Sequence, residues 1–373
     1  MNICYLADNF SRRYGNGRMA IKIFETSQKN IANLKATFLV TKSSNFAGEL
    51  PILYTNKYKL VANFFKIRSF AKNGNIVHAI DSFPFGVIGA LACIGTDTKL
   101  VITGIGSGAI QMFDHYLYKY LLRWAYRRAT VVTAISHYIA SEIKKNVPEL
   151  DVIVINPGID FDEMKKVDIS RQLPEEVVFK KPFILTVGMI KRRKGYHVAI
   201  PAFAEVLKKF PDLKYVIVGY PSEKADEDYK MELKKLAIDL GVADRVFFLG
   251  FIDDRSDLYA IYRNAELFCL LPQDIGKDVE GFGLVFLEAA VNGLPVVAGS
   301  GSGADDAVLD GENGYLVSSS DVMMVSQAII KILDNKELRN NFKISSQQFA
   351  LRMNWDTIGL KYIDIYNKII KTS

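Results

Sequence analysis

Two glutamates, Glu280 and Glu288, lie eight residues apart, a spacing that would let both carboxylates bind one ligand. Glu280 ends a polar loop, Gly281-Phe282-Gly283 follows as a turn, and Glu288 lies inside an apolar run typical of a helix. Because a helix rises about 1.5 Å per residue, Glu288 lies about 7–8 Å along the axis from the turn. Free N–H groups where such a helix begins, from Phe282 to Leu284, favour an anion such as a phosphate. The stretch predicts one ligand bound by both carboxylates; a buried helix with two incidental acids is the alternative.

A second candidate anion site follows the buried stretch Phe183–Val187. Gly188 ends this expected strand, and four basic residues, Lys191 to Lys194, precede the next helical pattern. A cation beside two phosphate groups in a partly closed site forms charge-assisted hydrogen bonds. The pattern therefore indicates a diphosphate contact, and a solvated basic turn is the alternative.

A glycine-containing loop lies near the N-terminus. The expected strand Asn2–Leu6 is followed by a loop, Ala7–Gly17, and by a helix from about Arg18 to Lys29. Gly15 and Gly17 occupy the place of the glycine loop that follows the first strand of nucleotide-binding α/β domains. Glycine lets the backbone approach a diphosphate closely. The two glycines predict a phosphate contact, and an ordinary turn explains them equally well.

Apolar stretches of strand length alternate with helical patterns along the chain. Those of the first half lie at 36–41, 76–79, 100–103, 131–134 and 152–155. This alternation predicts parallel, doubly wound α/β sheets. A length of 373 residues is enough for about two domains.

Composition excludes several other classes of protein. Apolar runs stay shorter than the roughly 18 residues that a membrane-spanning helix needs. The three cysteines lie in separate apolar runs, as expected of reduced core residues in a cytosolic protein, and the four histidines show no metal-ligand spacing. The net charge of +6 comes without a nucleic-acid-binding motif, so we expect no nucleic-acid partner.

The glutamate stretch and its surroundings resemble the GT4 family of retaining glycosyltransferases, whose signature is a pair of glutamates with seven residues between them. The resemblance rests on EGFG at 280–283, LEAA at 287–290, NGLPVVAG at 292–299 and VINPGID at 154–160. The wording DVEGFGLVFLEAA is most similar to members that use nucleotide-activated mannose. The resemblance implies the GT-B fold, with two Rossmann-like, doubly wound parallel-sheet domains facing across a cleft.

The same resemblance implies a division of the chain. Residues 1–165 are expected to form the acceptor-side domain, and residues 166–182 the linker. Residues 183–352 are expected to bind the nucleotide sugar, and residues 353–373 to form a helix that crosses back to the first domain.

The resemblance also implies an activity and roles for single residues. The chain is expected to be a hexosyltransferase that moves a sugar, with mannose favoured, from a GDP- or UDP-linked donor to a glycan or lipid-linked acceptor in cell-envelope synthesis. Arg193 and Lys194 would hold the diphosphate, and Glu280 would orient the donor sugar; these three are the expected catalytic residues. Glu288 would hold the ribose, and the backbone near Ile252 would meet the base. The expected donor-binding residues are Gly15, Gly17, Gly188, Arg193, Lys194, Ile252, Glu280, Phe282, Gly283, Leu284 and Glu288. Neither a metal ion nor a cofactor besides the donor is expected.

One departure from the family pattern motivates a rival function. Relatives often carry a histidine near the donor sugar after the strand at 100–103, and Ile105 lies at or near that place here. The rival is a non-catalytic sugar-nucleotide-binding partner of an active glycosyltransferase. A Rossmann dehydrogenase is a weaker alternative, because Gly15 and Gly17 lack the third glycine of the fingerprint.

Two segments of the N-terminal half combine basic and aromatic residues. Between Glu49 and Asp81 there is no acid. The basic residues of this segment include Lys57, Lys59, Lys66, Arg68 and Lys72; those of the second segment, Tyr116–Arg128, are Lys119, Arg123, Arg127 and Arg128. Basic, aromatic amphipathic helices suit an anionic membrane surface, and ordinary helices with one buried face are the alternative. The first interpretation predicts a cytoplasmic protein in peripheral contact with the inner face of the cytoplasmic membrane.

Overall fold

The computed structural model describes residues 1–11, 15–53, 57–173, 177 and 182–371, and for residues 57–61 the backbone alone. The chain divides into two compact units. Unit 1 is Met1–Pro157 together with Trp355–Ser373, and unit 2 is Gly158–Asn354. Within the predicted linker 166–182, residues 174–176 and 178–181 lie outside the described residues.

Unit 1 is built on a seven-stranded sheet in the order β3-β2-β1-β4-β5-β6-β7. Its strands are β1 Asn2–Ala7, β2 Lys35–Val40, β3 Glu49–Leu50, β4 Ile76–Ile80, β5 Lys99–Gly104, β6 Val131–Ala134 and β7 Val152–Val154. Every neighbouring pair is parallel. The strand predictions of the first half are confirmed within a residue or two, whereas the two-residue β3 was missed because it is too short to show a pattern.

The direction in which strands are added changes once in this sheet. From β1 the chain adds β2 and then β3 on one side, and it then returns to add β4 on the other side of β1. In doubly wound sheets, ligands bind in the crevice outside the carboxyl ends of the strands at such a switch point. In unit 1 the residues that follow β1 and β4 therefore occupy the position where a ligand is expected.

The described part of unit 1 also contains six α-helices. They are α1 Gly15–Asn30, α2 Lys57–Lys72, α3 Val87–Ala92, α4 Tyr118–Arg128, α5 His137–Asn146 and, from the C-terminal segment, α13 Trp355–Lys371. Helix α13 packs against α1, with Gly359 so close to Thr26 that a Cβ at position 359 would overlap the threonine side chain. The two helices form one layer over the sheet.

A buried polar chain links α13 to the sheet. The imidazole of His78 on β4 lies 2.6 Å from the Tyr366 hydroxyl and 2.7 Å from Thr103 Oγ1 on β5. Thr103 in turn lies 2.8 Å from Thr133 Oγ1 on β6. Burial lowers the pKa of His78 to about 3, so the ring is neutral and can serve as both donor and acceptor.

Helix α1 begins earlier than the sequence suggested. We expected a loop up to Gly17 and a helix from about Arg18, but Gly15 and Gly17 lie in the first turn of α1. The reason is local packing: a Cβ at position 17 would overlap backbone atoms of Ser11 and the side chain of Asn9. Glycine thus lets the preceding loop fold against the first helical turn.

Unit 2 contains a six-stranded parallel sheet in the order β10-β9-β8-β11-β12-β13. Its strands are β8 Phe183–Val187, β9 Lys214–Val218, β10 Val246–Gly250, β11 Leu267–Leu270, β12 Val296–Gly299 and β13 Gly314–Val317. The same reasoning as in unit 1 places the switch point between β8 and β11. Two doubly wound parallel sheets confirm the predicted α/β class.

The helices of unit 2 flank this sheet. They are α6 Phe161–Met164, α7 Tyr196–Leu207, α8 Lys224–Asp239, α9 Arg255–Asn264, α10 Leu284–Val291, α11 Val322–Asp334 and α12 Lys336–Arg352. The strands of both units are largely buried on both faces, as expected of parallel sheets covered by helices on each side. In the part of the chain that the structure describes, helices are too short or too polar to cross a bilayer.

Candidate functional site

The basic turn of unit 2 is fixed at the switch point of its sheet. After β8 and Gly188, residues Arg192–Lys194 form one turn of 3₁₀ helix, and Gly195 follows with φ 73°. A Cβ at position 195 would overlap the carbonyl oxygen of Leu271, the residue directly after β11. The backbone N–H of Gln273 donates to the Arg193 carbonyl at 2.8 Å. Glycine at 195 therefore allows the turn to dock on the chain leaving β11.

The glutamate stretch reaches the same end of the sheet. Helix α10 begins after Gly283, which has φ 84°, and ends before Gly293, which has φ 73°. These glycines confirm the predicted turn and helix end. Gly303 packs so tightly on the Gly281 carbonyl that a side chain would not fit, and its N–H donates to the Glu280 carbonyl at 3.0 Å.

Three of the predicted residues form one buried ion cluster. Arg193 Nη1 donates to Glu280 Oε2 at 2.9 Å, and Lys194 Nζ donates to the same oxygen. Lys194 and Glu280 are 7% and 8% exposed. In the described part of the protein, Glu280 Oε1 accepts no hydrogen bond. Both cations thus occupy one carboxylate oxygen and leave the other available.

The charges in this cluster are strongly coupled. Burial acts to raise the pKa of Glu280, but Lys194 and Arg193 outweigh it and hold that pKa below its usual value. Burial lowers the pKa of Lys194, a shift that Glu280 opposes and Arg193 reinforces. Two cations share one buried carboxylate, so the buried part of the cluster carries an excess positive charge.

Arg193 also presents an unused donor. Its Nε lies 3.2 Å from Asp278 Oδ1, yet that N–H has no hydrogen-bond acceptor among the described residues. Asp278 is half exposed, so water screens its charge. A buried donor without an acceptor is costly, and an anionic ligand oxygen would satisfy it.

Glu288 lies in α10 with partners of its own. The Tyr262 hydroxyl donates to Glu288 Oε2 at 3.3 Å, and Arg255 Nη2 lies 3.8 Å from Oε1. Glu288 is 6% exposed. The two signature carboxylates therefore have different cation partners, and Tyr262 and Arg255 both come from α9.

Tyr262 and Arg255 were missed by sequence reasoning. Arg255, Tyr259 and Tyr262 recur at helical spacing on one face of α9, which is the only sequence signal that could have identified them. The predicted base contact, Ile252, is half-buried in the loop between β10 and α9. That loop enters the helix that reaches Glu288.

The remaining predicted residues are placed as follows. The Gly188 carbonyl accepts a hydrogen bond from the Tyr196 hydroxyl at 2.9 Å, which fixes the end of β8. Phe282 and Leu284 flank Gly283 at the start of α10. Gly15 and Gly17 belong to unit 1. Within the described ranges, no three His, Cys, Asp or Glu side chains form a group suited to a metal ion.

Two sequence families match the chain. The profile described as "Glycosyl transferases group 1" matches residues 168–349, and the profile described as "Glycosyltransferase Family 4" matches residues 36–163. The first contains the ion cluster, Glu288 and both switch-point loops of unit 2, and the second contains β4 and β5 of unit 1.

Named relatives extend the comparison. A GDP-mannose-dependent alpha-(1-6)-phosphatidylinositol monomannoside mannosyltransferase of Mycolicibacterium smegmatis is 28% identical over 299 residues, 77% of this chain and 76% of that protein. An N-acetyl-alpha-D-glucosaminyl L-malate synthase of Bacillus anthracis is 28% identical over 305 residues, 80% of this chain and 76% of that protein. The match to the mannosyltransferase of Mycobacterium tuberculosis spans 63% of this chain and 60% of that protein.

A solved structure shares the fold over nearly the whole chain. Anabaena Alr3699/HepE in complex with UDP superposes with a TM-score of 0.81 and 22% identity, covering 99% of this chain and 100% of that one.

Proposed function

This chain belongs to the family 4 glycosyltransferases, enzymes that transfer sugar from a nucleotide sugar, and we propose that its donor is GDP-mannose and its acceptor a lipid-linked or cell-envelope glycan. The observation that carries the proposal is the buried cluster of Arg193, Lys194 and Glu280 at the switch point of unit 2. The mannose donor is supported by the DVEGFG wording and by the GDP-mannose dependence of the Mycolicibacterium relative.

The cluster suits cleavage of a glycosyl diphosphate. Breaking the bond between the anomeric carbon and the diphosphate develops negative charge on the leaving group. Arg193, with its unused Nε donor, and Lys194 stabilise that charge, as do the free N–H groups at the start of α10. These groups supply the positive charge from the protein, so we expect activity to persist in EDTA.

Glu280 and Glu288 act on the two ends of the donor. Glu280 Oε1 accepts a hydrogen bond from a hydroxyl of the transferred sugar, while Oε2 keeps its hydrogen bonds to Arg193 and Lys194. The same carboxylate thus positions both the sugar and the two cations that bind the diphosphate. Glu288 accepts charge-assisted hydrogen bonds from the ribose hydroxyls. The reaction proceeds with retained configuration, the acceptor hydroxyl losing its proton to the leaving phosphate.

Incubation of the purified protein with GDP-mannose, UDP-glucose and UDP-N-acetylglucosamine tests this proposal. We expect slow hydrolysis of GDP-mannose alone and faster release of GDP when octyl α-mannoside is added. Preference for a UDP-linked sugar would contradict the donor assignment. Binding of GDP-mannose without turnover in any acceptor mixture would favour the rival function, a non-catalytic binding partner.

The acceptor proposal is supported by an exposed surface on unit 1. Near α4, Tyr116 and Tyr120 are 77% and 61% exposed, and Leu117 and Leu121 are exposed as well. Lys119 lies over the Tyr120 ring, 5.1 Å from its centroid. Phe65 on α2 is 80% exposed, and α2 and α4 both pack against α3. Exposed aromatic and leucine side chains next to basic residues suit the interface of an anionic membrane.

Some predicted members of this surface lie elsewhere. Tyr126 is buried in the core, where its hydroxyl lies 2.8 Å from the Ala109 carbonyl, to which it donates, and 2.7 Å from Ser82 Oγ. The side chains of Lys57, Tyr58 and Lys59 lie outside the described residues.

Co-sedimentation with vesicles tests the membrane contact. We expect binding to phosphatidylglycerol vesicles at about 0.1 M salt, weaker binding at about 0.5 M salt, and little binding to phosphatidylcholine alone. The double substitution Tyr120→Ser/Leu121→Ser should weaken it, whereas Met231→Ser, at an exposed apolar residue of unit 2, should not. Absence of binding at low salt would rule the contact out.

A further inference from the structure

Asp81 lies at the switch point of unit 1. It directly follows β4, and Asp8 directly follows β1, the two strands between which the order of the sheet reverses. The Asp81 side chain accepts a hydrogen bond from the Ser82 N–H at 2.7 Å and keeps partial contact with solvent. Asp81 therefore lies at the place where the fold predicts a ligand.

The backbone of Asp81 is held in an unfavourable conformation. Its φ of 100° and ψ of 150° lie in a region that is essentially restricted to glycine. Next to it, Gly108 approaches so closely that a Cβ there would overlap Asp81 Oδ2. Strain of this kind persists where the surrounding structure enforces it, and it clusters at ligand sites.

Asp81 also contacts the position where the family resemblance expects a histidine. The backbone N–H of Ile105 lies near its carboxyl and acts to lower the pKa of that group, and the side chain of Ile105 is buried and apolar. Burial and, to a smaller extent, the charge of Asp8 raise the pKa of Asp81 to about 7. Near neutral pH such a carboxyl can either accept a hydrogen bond or donate one.

We propose that Asp81 hydrogen-bonds a hydroxyl of the sugar substrate, a contact that Ile105 cannot make. This inference rests on the proposed glycosyl transfer. The hydroxyl belongs either to the transferred sugar or to a sugar acceptor; both have the same chemistry, and kinetics separates them. Asp81 is in this view a substrate-binding residue that sequence comparison alone does not reveal.

Asp81→Gly is the most informative variant, because glycine removes the carboxyl and adopts the same φ without strain. We expect it to fold, with a melting temperature at or above that of the wild type, and to lose about tenfold or more in kcat/KM. Its affinity for GDP without a sugar should stay within about twofold of wild type. Asp97→Asn, at an exposed aspartate of the same unit, is the matched control. If Asp81→Gly fails to fold, Asp81→Asn takes its place.

Two assays with GDP-mannose decide the outcome. If Asp81→Gly hydrolyses GDP-mannose more slowly in the absence of acceptor, the hydroxyl belongs to the donor. If only its KM for octyl α-mannoside rises, the hydroxyl belongs to the acceptor. Either result supports the inference. An active wild type with a variant inside about twofold of it in both assays would overturn the inference. A wild type that neither binds nor cleaves any donor would instead remove the proposed function, and this inference with it.

Discussion

Glu280 and Asp81 are carboxyl groups near the carboxyl ends of strands in unit 2 and unit 1, and burial acts on both in the same direction. Lys194 and Arg193 bind Glu280, and its pKa lies below the usual value. Asp81 accepts a hydrogen bond from the Ser82 N–H, and burial together with the charge of nearby Asp8 raises its pKa to about 7. Among the described residues, no basic side chain forms an ion pair with Asp81.

The difference shows that partners, not burial, decide the charge of a carboxyl in this protein. Lys194 and Arg193 keep Glu280 ionised, and Glu280 in turn holds these two cations, which are the proposed diphosphate-binding groups. Asp81 titrates near neutral pH, which suits exchange of hydrogen bonds with a neutral hydroxyl. In the proposed function, the charged diphosphate and an uncharged sugar hydroxyl would thus meet carboxyl groups in different charge states.

Among the substitutions that test this difference, replacement of Lys194 should have the largest effect on activity. Lys194→Met deletes one of the two cations proposed to stabilise the leaving diphosphate, and we expect kcat to fall roughly 10²–10³-fold. It also removes one charged hydrogen bond to Glu280 while Arg193 keeps that carboxylate paired, which should cost about 1.5–3 kcal/mol of unfolding free energy. Steady-state kinetics and urea unfolding measure the two effects. Arg192→Ala is the control, because Arg192 pairs with the exposed Glu232 and stacks on Tyr229.

Glu288 gives the next largest effect. Glu288→Ala removes a buried acceptor of the nucleotide sugar, and a charged hydrogen bond is worth about 1.5–3 kcal/mol, or roughly 10- to 100-fold in affinity. Titration calorimetry with GDP measures the loss. Tyr262→Phe, which deletes only the 3.3 Å hydrogen bond to Glu288, should weaken GDP binding much less. Equal affinity of Glu288→Ala and wild type for GDP would refute the ribose-binding role.

The sequence was sufficient for those features that depend on local pattern. Continuous apolar runs located most strands, and the glycines around Leu284–Val291 located the turn and helix of the signature. Local spacing also placed Glu280 and the basic run 191–194 near glycine turns, the family resemblance selected Arg193 and Lys194 within that run, and the structure brings these two and Glu280 together.

Other features depend on packing between distant segments and left no sequence signal. The Asp81 conformation is set by Gly108 and Ile105, more than twenty residues away along the chain. Binding of both cations to one oxygen of Glu280 likewise follows from how Gly195 docks on Leu271. The start of α1 was misplaced for a more local reason, because the close packing of Gly17 on Ser11 and Asn9 shows no pattern in the sequence.

The pH dependence of the unfolding free energy should also distinguish Asp81 from Glu280. Between its ordinary pKa and about 7, the folded state holds a proton that the unfolded state releases, so this group lowers stability as pH rises across that range. Glu280 acts oppositely: its stabilisation is present above its usual pKa and is lost as pH falls below it.

We expect Asp81→Asn to remove the neutral-range slope. Relative to wild type, its unfolding free energy should rise by about 1–2 kcal/mol between about pH 5 and about pH 8, since partial exposure screens the full shift. Urea unfolding at both pH values measures it, with Asp97→Asn as the control. Parallel curves for wild type and Asp81→Asn would mean that the Asp81 carboxyl does not titrate in this range.

The smallest effect concerns the neutral polar chain of unit 1. Tyr366→Phe removes the hydroxyl that lies 2.6 Å from His78, and we expect a loss of about 1 kcal/mol of unfolding free energy. Because His78 stays neutral over the working range, this loss should not vary between about pH 6 and about pH 8. The rate of donor hydrolysis should be unchanged, since Tyr366 is buried in unit 1 and has no proposed contact with the substrate. A loss of unfolding free energy that grows toward low pH would show that His78 carries charge in the folded protein. The contrast between the ion cluster of unit 2 and the neutral polar chain of unit 1 would then fail.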